Sequence, residues 1–226
     1  MKRAAIILIA ALWLALSADA FAGATNVAIV YKVSGTVEFF KAGSKTAVQL
    51  APATHLSDGD RIKTGKDGYV FLIFVEDKSQ VKVREGTDLS IAANRTAKGL
   101  EQQVNVDIGK LWTHVTKAGS AMRVSTPTSV ASVKGTVWWT LVELDGTTQI
   151  LGLQGIVLLF NKVTNESKNV DPGYTGTSNQ TGIVITQTTG GVPNSEGRGQ
   201  RNTIRIPFRD QDGNDRSFII EYEEVE

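Results

Sequence analysis

The chain contains no cysteine. Disulfide bridges, cysteine zinc sites, iron–sulfur clusters and thiol nucleophiles are excluded with it. Histidine is almost as scarce. His55 and His114 are the two present, and without thiols they offer little material for a transition-metal centre. No cofactor is expected. Proline is rare, at 5 residues, and neither charge sign is in excess, because 24 basic residues face 23 acidic ones. That balance removes the electrostatic basis for nucleic-acid binding. What the chain does have is glycine, 22 residues in 226, and an apolar share of 41%. That share suffices for a core and excludes disorder throughout, and the length suits one ordinary domain with trimmings.

Long hydrophobic runs are confined to one place. Lys2 and Arg3 precede an apolar run from Ala4 to Leu16, and small residues follow at Ala18, Ala20 and Ala22. As a helix the run measures about 20 Å, short against a bilayer core of about 30 Å. Residues 1–22 therefore read as a secretory signal peptide, with cleavage expected before Gly23 and, as second choice, after Ala20. No lipid-anchoring cysteine follows, and after cleavage no membrane span is expected. The expected location is the periplasm or the exterior.

Beyond Gly23 alternation replaces helical periodicity. Tyr69 to Val75 is strongly β-prone, and Gln80 to Arg84 and Gln103 to Ile108 alternate polar with apolar residues. Further strands are expected at Thr136 to Leu144, Thr148 to Leu153 and Ile156 to Phe160. Turn signals separate them at Asp58-Gly59-Asp60, Asp67-Gly68, Asp145-Gly146 and Asp171-Pro172-Gly173. A glycine followed two residues later by an apolar residue recurs at Gly35/Val37, Gly68/Val70, Gly109/Leu111, Gly135/Val137 and Gly155/Val157. The spacing is too irregular for a regular solenoid. The expected fold is all-β: a distorted β-solenoid or sandwich-like stack of short strands, plus the N-terminal signal helix and a C-terminal β-hairpin.

The β domain is expected over residues 23–176. Residues 177–201 turn to Gly, Ser, Thr and Asn, and read as one strand at Ile183 to Ile185 followed by a flexible linker. In residues 202–226, Ile204, Ile206 and Phe208 alternate, as do Phe218, Ile220 and Tyr222. This is the pattern of a hairpin with one apolar face, and because a lone hairpin is marginal in water that face must dock somewhere. Pro207 places its strand at an edge.

Two stretches are distinctive: Leu56 to Phe74, containing Gly59-Asp60-Arg61-Ile62-Lys63-Thr64-Gly65, and Val124 to Thr136, containing Thr126-Pro127 and Lys134-Gly135-Thr136 before Trp138. Together with Gly109-Lys110-Leu111-Trp112, in this order, they resemble the FecR domain across roughly residues 27–176. The residues make physical sense as a folding signature. Gly59 and Gly65 allow tight reversals, Asp60 and Thr64 can bond turn amides, Pro127 fixes an extended entry, and Gly135 permits a corner before Thr136. None is placed for bond breaking. The resemblance implies an envelope regulator of iron uptake, in which a periplasmic FecR domain senses a transporter's signalling domain by protein contact. That family plan adds a cytoplasmic anti-sigma segment and a membrane helix. Neither is expected here, which leaves an exported binding or scaffold domain.

Other candidates have plainer readings. Asp210 to Asp215 resembles a calcium loop but lacks glycine at Asp215 and has no flanking helices, so a hairpin turn is expected. The Ser79-Gln80-Val81-Lys82 and Lys63-Thr64-Gly65 pair runs in reverse order to that of penicillin-recognising enzymes. His55 and His114 have no partner at a telling spacing. Trp138 and Trp139 are adjacent and face opposite sides of a strand, one into the core; Trp139 and Trp112 are candidates for a contact surface. The function expected is a non-catalytic periplasmic or secreted binding domain with an envelope protein as partner, in cell-envelope signalling. The alternative is a polysaccharide- or peptidoglycan-binding module using the tryptophans.

Overall fold

The computed structural model describes residues 26–96, 99–116, 122–133, 135–195, 201–209 and 215–223. The proposed signal peptide and most of the Asp210 to Asp215 loop lie outside these residues. All regular elements among the described residues are strands. They run β1 (Asn26–Ser34), β2 (Val37–Phe40), β3 (Val48–Gln49), β4 (His55–Ser57), β5 (Arg61–Thr64) and β6 (Tyr69–Phe74). Next come β7 (Gln80–Val83), β8 (Asp88–Thr96), β9 (Gly99–His114), β10 (Met122–Ser125), β11 (Ser129–Val133) and β12 (Val137–Val142). The remainder are β13 (Thr148–Gln154), β14 (Val157–Asn161), β15 (Ser167–Val170), β16 (Tyr174–Asn179), β17 (Gly182–Gln187), β18 (Arg201–Arg209) and β19 (Asp215–Glu223).

Seventeen strands form two ladders joined through β9. The front sheet has the order β4-β1-β6-β7-β9-β12-β13-β16-β17, all antiparallel. The rear sheet has the order β3-β2-β5-β8-β9-β10-β11-β14-β15, with β9 and β10 parallel and the rest antiparallel. The ladders do not close into a barrel. Inward side chains of both make one core, with Val70, Leu72, Phe74, Val81, Leu111, Trp138 and Ile150 from the front and Ile62, Leu89, Val104, Val124, Val157 and Leu159 from the rear. The expectation of a layered stack of short strands is met to this extent.

β9 joins the layers by changing sheets at its middle. Its first half pairs with β8 and β10, and residues 109–114 pair with β12. The inward parity flips on the way: Val104 and Val106 point to the core before Gly109, Leu111 and Thr113 after it. A strand passing from one layer to the facing layer must swap its inner and outer faces, so one residue has to break the alternation. Gly109 does so with φ +113°, and a Cβ there would lie 2.3 Å from Thr87 Oγ1. The strand expected at Gln103 to Ile108 is thus the middle of a longer one.

The glycine recurrence has the same cause. Gly35 links β1 to β2, Gly68 β5 to β6, Gly135 β11 to β12, and Gly155 β13 to β14; each is a passage between layers. The passages pack on one another, so that a Cβ on Gly35 would meet the Asp67 carbonyl oxygen at 2.0 Å. One strand goes beyond the sequence expectation. β16 runs through the domain boundary expected at residue 176 and pairs with β13, so the packed β region continues at least to β17. β18 and β19 form a separate two-stranded ladder that sets Ile204 opposite Ile220 and Ile206 opposite Phe218.

Candidate interaction surface

The motif residues are fasteners. Asp60, fully buried, accepts hydrogen bonds from the amides of Ser57 (2.8 Å) and Ala42 (2.9 Å) and from Lys41 Nζ (3.0 Å). It pins the Gly59 turn (φ +81°) to the loop after β2. Thr64 Oγ1 donates to the Arg84 carbonyl at 2.6 Å and accepts from the Thr87 amide at 2.8 Å, while the Gly65 amide bonds the Thr36 carbonyl at 2.8 Å. In the second motif Thr126 Oγ1 accepts from the Ser129 amide (3.1 Å) and pairs with Thr148 Oγ1 at 2.7 Å. Pro127 lies against Gly146, and Thr128 Oγ1 donates to the Gly146 carbonyl at 2.7 Å. Gly135 turns with φ +70°, and the Thr136 carbonyl accepts from the Val115 amide. The Thr136 hydroxyl is buried with no hydrogen-bond partner. Lys162 Nζ donates to Ser125 Oγ at 2.8 Å and to the Thr126 carbonyl, and burial pushes its pKa down.

The histidines are not brought together. His55 is exposed on the β4 edge, and His114 stands edge-on to Trp112 with ring centroids 5.8 Å apart. Among the described residues no group of three potential metal ligands is assembled, and no helix is long and apolar enough to cross a membrane. Two shallow clefts open on the rear sheet and its turns. One is lined by Asp58, Asn94, Glu101, Gln102 and Arg123, the other by Phe40, Lys41, Arg61 and Lys63.

The two outer faces differ in chemistry. On the rear sheet Arg61 makes a two-pronged bond to Asp88, 2.6 and 2.5 Å, which raises the Arg61 pKa, and Lys63 joins at 3.2 Å. Arg123 pairs with Glu101 nearby. This is an ordinary solvated face. The front sheet instead carries one cross-strand row of large side chains: Phe71, Lys82, Trp112, Trp139, Leu151 and then Thr175, register-matched from β6 to β16. Tyr31 packs edge-on against Phe71 at 5.1 Å. The Lys82 ammonium lies 4.7 Å from the Trp112 ring centre and 5.5 Å from that of Phe71. A cation between two rings is attracted by their π faces while its stem covers apolar surface.

Half of this row is covered. Trp138 points into the core, and Trp139, on the opposite side of β12, is also buried, at 1% exposed. Trp139 is therefore not a contact surface. The cover follows from two anchors. Thr188 Oγ1 bonds Thr175 Oγ1 on β16 at 2.8 Å, and the Asn194 carbonyl accepts from Arg84 beyond β7. From β16 to β7 is four strand spacings, about 19 Å, and six extended residues span about 20 Å. Residues 188–194 thus run straight over Leu151 and Trp139 as a strap. The start of the expected linker is held on the sheet. Beyond β7, on β1 and β6, Tyr31 stays 65% exposed and Phe71 and Ile73 are half-buried, and Trp112 on β9 is half-buried between Lys82 and Trp139. Among the described residues Trp138 and Trp139 are buried and Lys82 lies over one ring face of Trp112, so these three tryptophans do not form a flat platform for sugar stacking.

A scaffold built by buried turn fasteners, with an apolar patch on one face, is the architecture these residues define. Residues 60–158 match the family model described as FecR protein, so the chain carries a FecR domain there. Two crystal structures of a "putative anti-sigma factor" from Parabacteroides distasonis are similar at 17% identity, with a TM-score of 0.48 and coverage of 56% of this chain and 59% of that one. The chain thus spans less than two thirds of that protein's length. No curated protein matches the chain.

Proposed function

We propose that this chain is an exported, non-catalytic FecR-type domain that takes part in cell-envelope signalling by binding another envelope protein through the open half of the front sheet. The observation that carries the reading is the patch of exposed Tyr31 with half-buried Phe71, Ile73 and Trp112, beside the stretch of the same face where Trp139 and Leu151 are buried. Antiparallel two-layer folds normally keep their outer faces polar, and a contiguous aromatic patch is the surface type that protein partners use. The FecR match supplies the signalling context. The signal-peptide pattern of residues 1–22 supports export, and the stack of passages between two layers fits a distorted solenoid acting as a rigid platform.

The test is affinity capture from a solubilised envelope fraction with the mature chain, beside the Phe71→Glu variant. One protein enriched by the wild type and lost with the variant is the expected result. Equal capture by both would place the contact elsewhere, and capture of glycan alone would end the reading.

A further inference from the structure

The front sheet ends at β17, and that edge is unlike the other outer strands. An edge strand presents unpaired backbone groups, and natural edges are blunted by brevity, lysine, proline or bulges. β3 has 2 residues, β4 has 3, and β15 has 4 with Lys168 among them. The stretch of β1 beyond β4 carries Lys32. β17 runs for 6 residues, Gly182 to Gln187, with no charge, no proline and no register shift against β16. Ile183, Val184, Ile185 and Thr186 are all β-branched, and Val184 is 62% exposed. We propose that β17 pairs edge to edge with β17 of a second copy of this chain, antiparallel about a two-fold axis at Thr186.

The backbone hydrogen bonds fix the register. The Ile183 amide donates to Glu166 Oε2 at 2.9 Å, and the Ile183 carbonyl accepts from Lys168 Nζ at 2.6 Å. Both groups therefore point away from β16, and the Glu166–Lys168 ion pair caps them. Alternation along the strand then turns the amides and carbonyls of Ile185 and Gln187 outward as well. At the far end the Thr188 amide points inward, to the Gly173 carbonyl at 2.9 Å, before the chain leaves as the strap. Among the described residues nothing bonds the backbone groups of Ile185 and Gln187 on that outer side. The open window is these two residues, centred on Thr186. A two-fold axis at Thr186 sets Ile185 of each copy opposite Gln187 of the other, and every open donor meets an open acceptor.

A second copy suits this edge electrostatically. β17 carries no charge, so two copies meet without repulsion, and Thr186 faces Thr186 as a favourable cross-strand pair. The other outer strands are short or carry lysine, so β17 finds its match in itself and the assembly closes as a dimer. The contact is narrow, which makes the dimer reversible and dependent on concentration. It lies at the opposite end of the front sheet from Tyr31 and Phe71. Dimerisation and the capture of an envelope partner are thus separate properties, read by separate measurements.

Sedimentation velocity on the mature chain at rising concentration tests this, with a doubling of mass expected. The Thr186 side chain is exposed, so Thr186→Lys leaves the bonds of β17 to β16 in place and sets two like charges face to face at the axis. Thr186→Glu does the same with the opposite sign. Each variant alone is expected to stay monomeric where the wild type is dimeric, and an equimolar mixture of the two is expected to dimerise. Because the chain has no cysteine, a second measurement is clean. Facing residues of a non-hydrogen-bonded pair lie about 4.5 Å apart between Cα atoms, within disulfide range. Thr186→Cys is therefore expected to cross-link two chains under mild oxidation. Val184→Cys is not, because the same register holds the two copies of that position about 14 Å apart. A monomer at every concentration, a Thr186→Lys dimer as strong as the wild type, a mixture that stays monomeric, or equal cross-linking at 184 and 186 overturns the proposal.

Discussion

Replacing Asp60 tests the claim that the shared motif is a fastener. Its carboxylate is fully buried and holds the Ser57 and Ala42 amides at 2.8 and 2.9 Å, with Lys41 Nζ at 3.0 Å. The Lys41 side chain is 54% exposed, so that arm is screened and contributes less than about 1 kcal/mol. The two amide bonds to a charged acceptor are worth about 1.5 kcal/mol or more each, and losing them strands both donors. Asp60→Ala should therefore cost about 3 kcal/mol. In a chain of this size that is a drop of about 6–12 °C in Tm. Asp60→Asn keeps one acceptor oxygen and should cost about half as much. Urea unfolding followed by circular dichroism measures both. A loss below about 1 kcal/mol for Asp60→Ala would refute the fastener account. Partner capture at a temperature where the variant is folded should be unchanged.

The buried outer tryptophan supplies a second prediction: Trp139→Ala should cost about 3–5 kcal/mol by denaturant unfolding, and Trp112→Ala, half-open, less than half of that; equal losses would mean the strap does not cover Trp139. Gly109→Ala forces a side chain into φ +113° against Thr87 and should lower stability by more than about 2 kcal/mol; near-neutral behaviour in thermal melts would show that β9 does not cross layers there. Acid should loosen the fold through three carboxylates. Asp67 and Asp145 are held below the usual range by the Thr36 and Thr147 amides, and Glu166 by Lys168 and then the Ile183 amide. Folded pKa values below the unfolded ones give stabilisation that is complete above about pH 5 and is lost as pH falls below about 4. The urea midpoint should be level from pH 7 to 5 and fall below that; a level profile to pH 3 would contradict the assignment.

Much of the fold is written in local pattern. The alternations at Tyr69 to Phe74 and Gln80 to Val83, and the turn glycines, are visible because period 2 and positive φ are one-residue properties. The opposite facing of Trp138 and Trp139 follows from the same rule. The burial of Trp139 does not, since its cover comes from residues 188–194 and is anchored by a contact between Arg84 and Asn194, 110 positions apart. β16 escapes notice because Tyr174 to Asn179 is Thr- and Gly-rich and gains its strand state from β13 and β17. The Gly109 parity flip is present in the letters, as Val104 and Val106 against Leu111, yet it takes on meaning only once two layers exist. Of the candidate surface, Trp112 is legible as a large side chain on an alternating strand. Tyr31, Phe71 and Lys82 are not, because their adjacency is a matter of cross-strand register.

From β5 onward each new strand pairs with one laid down earlier and extends its sheet in a single direction, ending at β17 and β15. The molecule can therefore grow by accretion. A polypeptide emerging amino end first has, at every stage, a finished rim on which the next pair of strands can settle, and never has to wait for distant residues to complete a half-built edge. The strap follows β17 in that order and lies back across strands already in place, which gives the freshly completed two-layer domain its own seal.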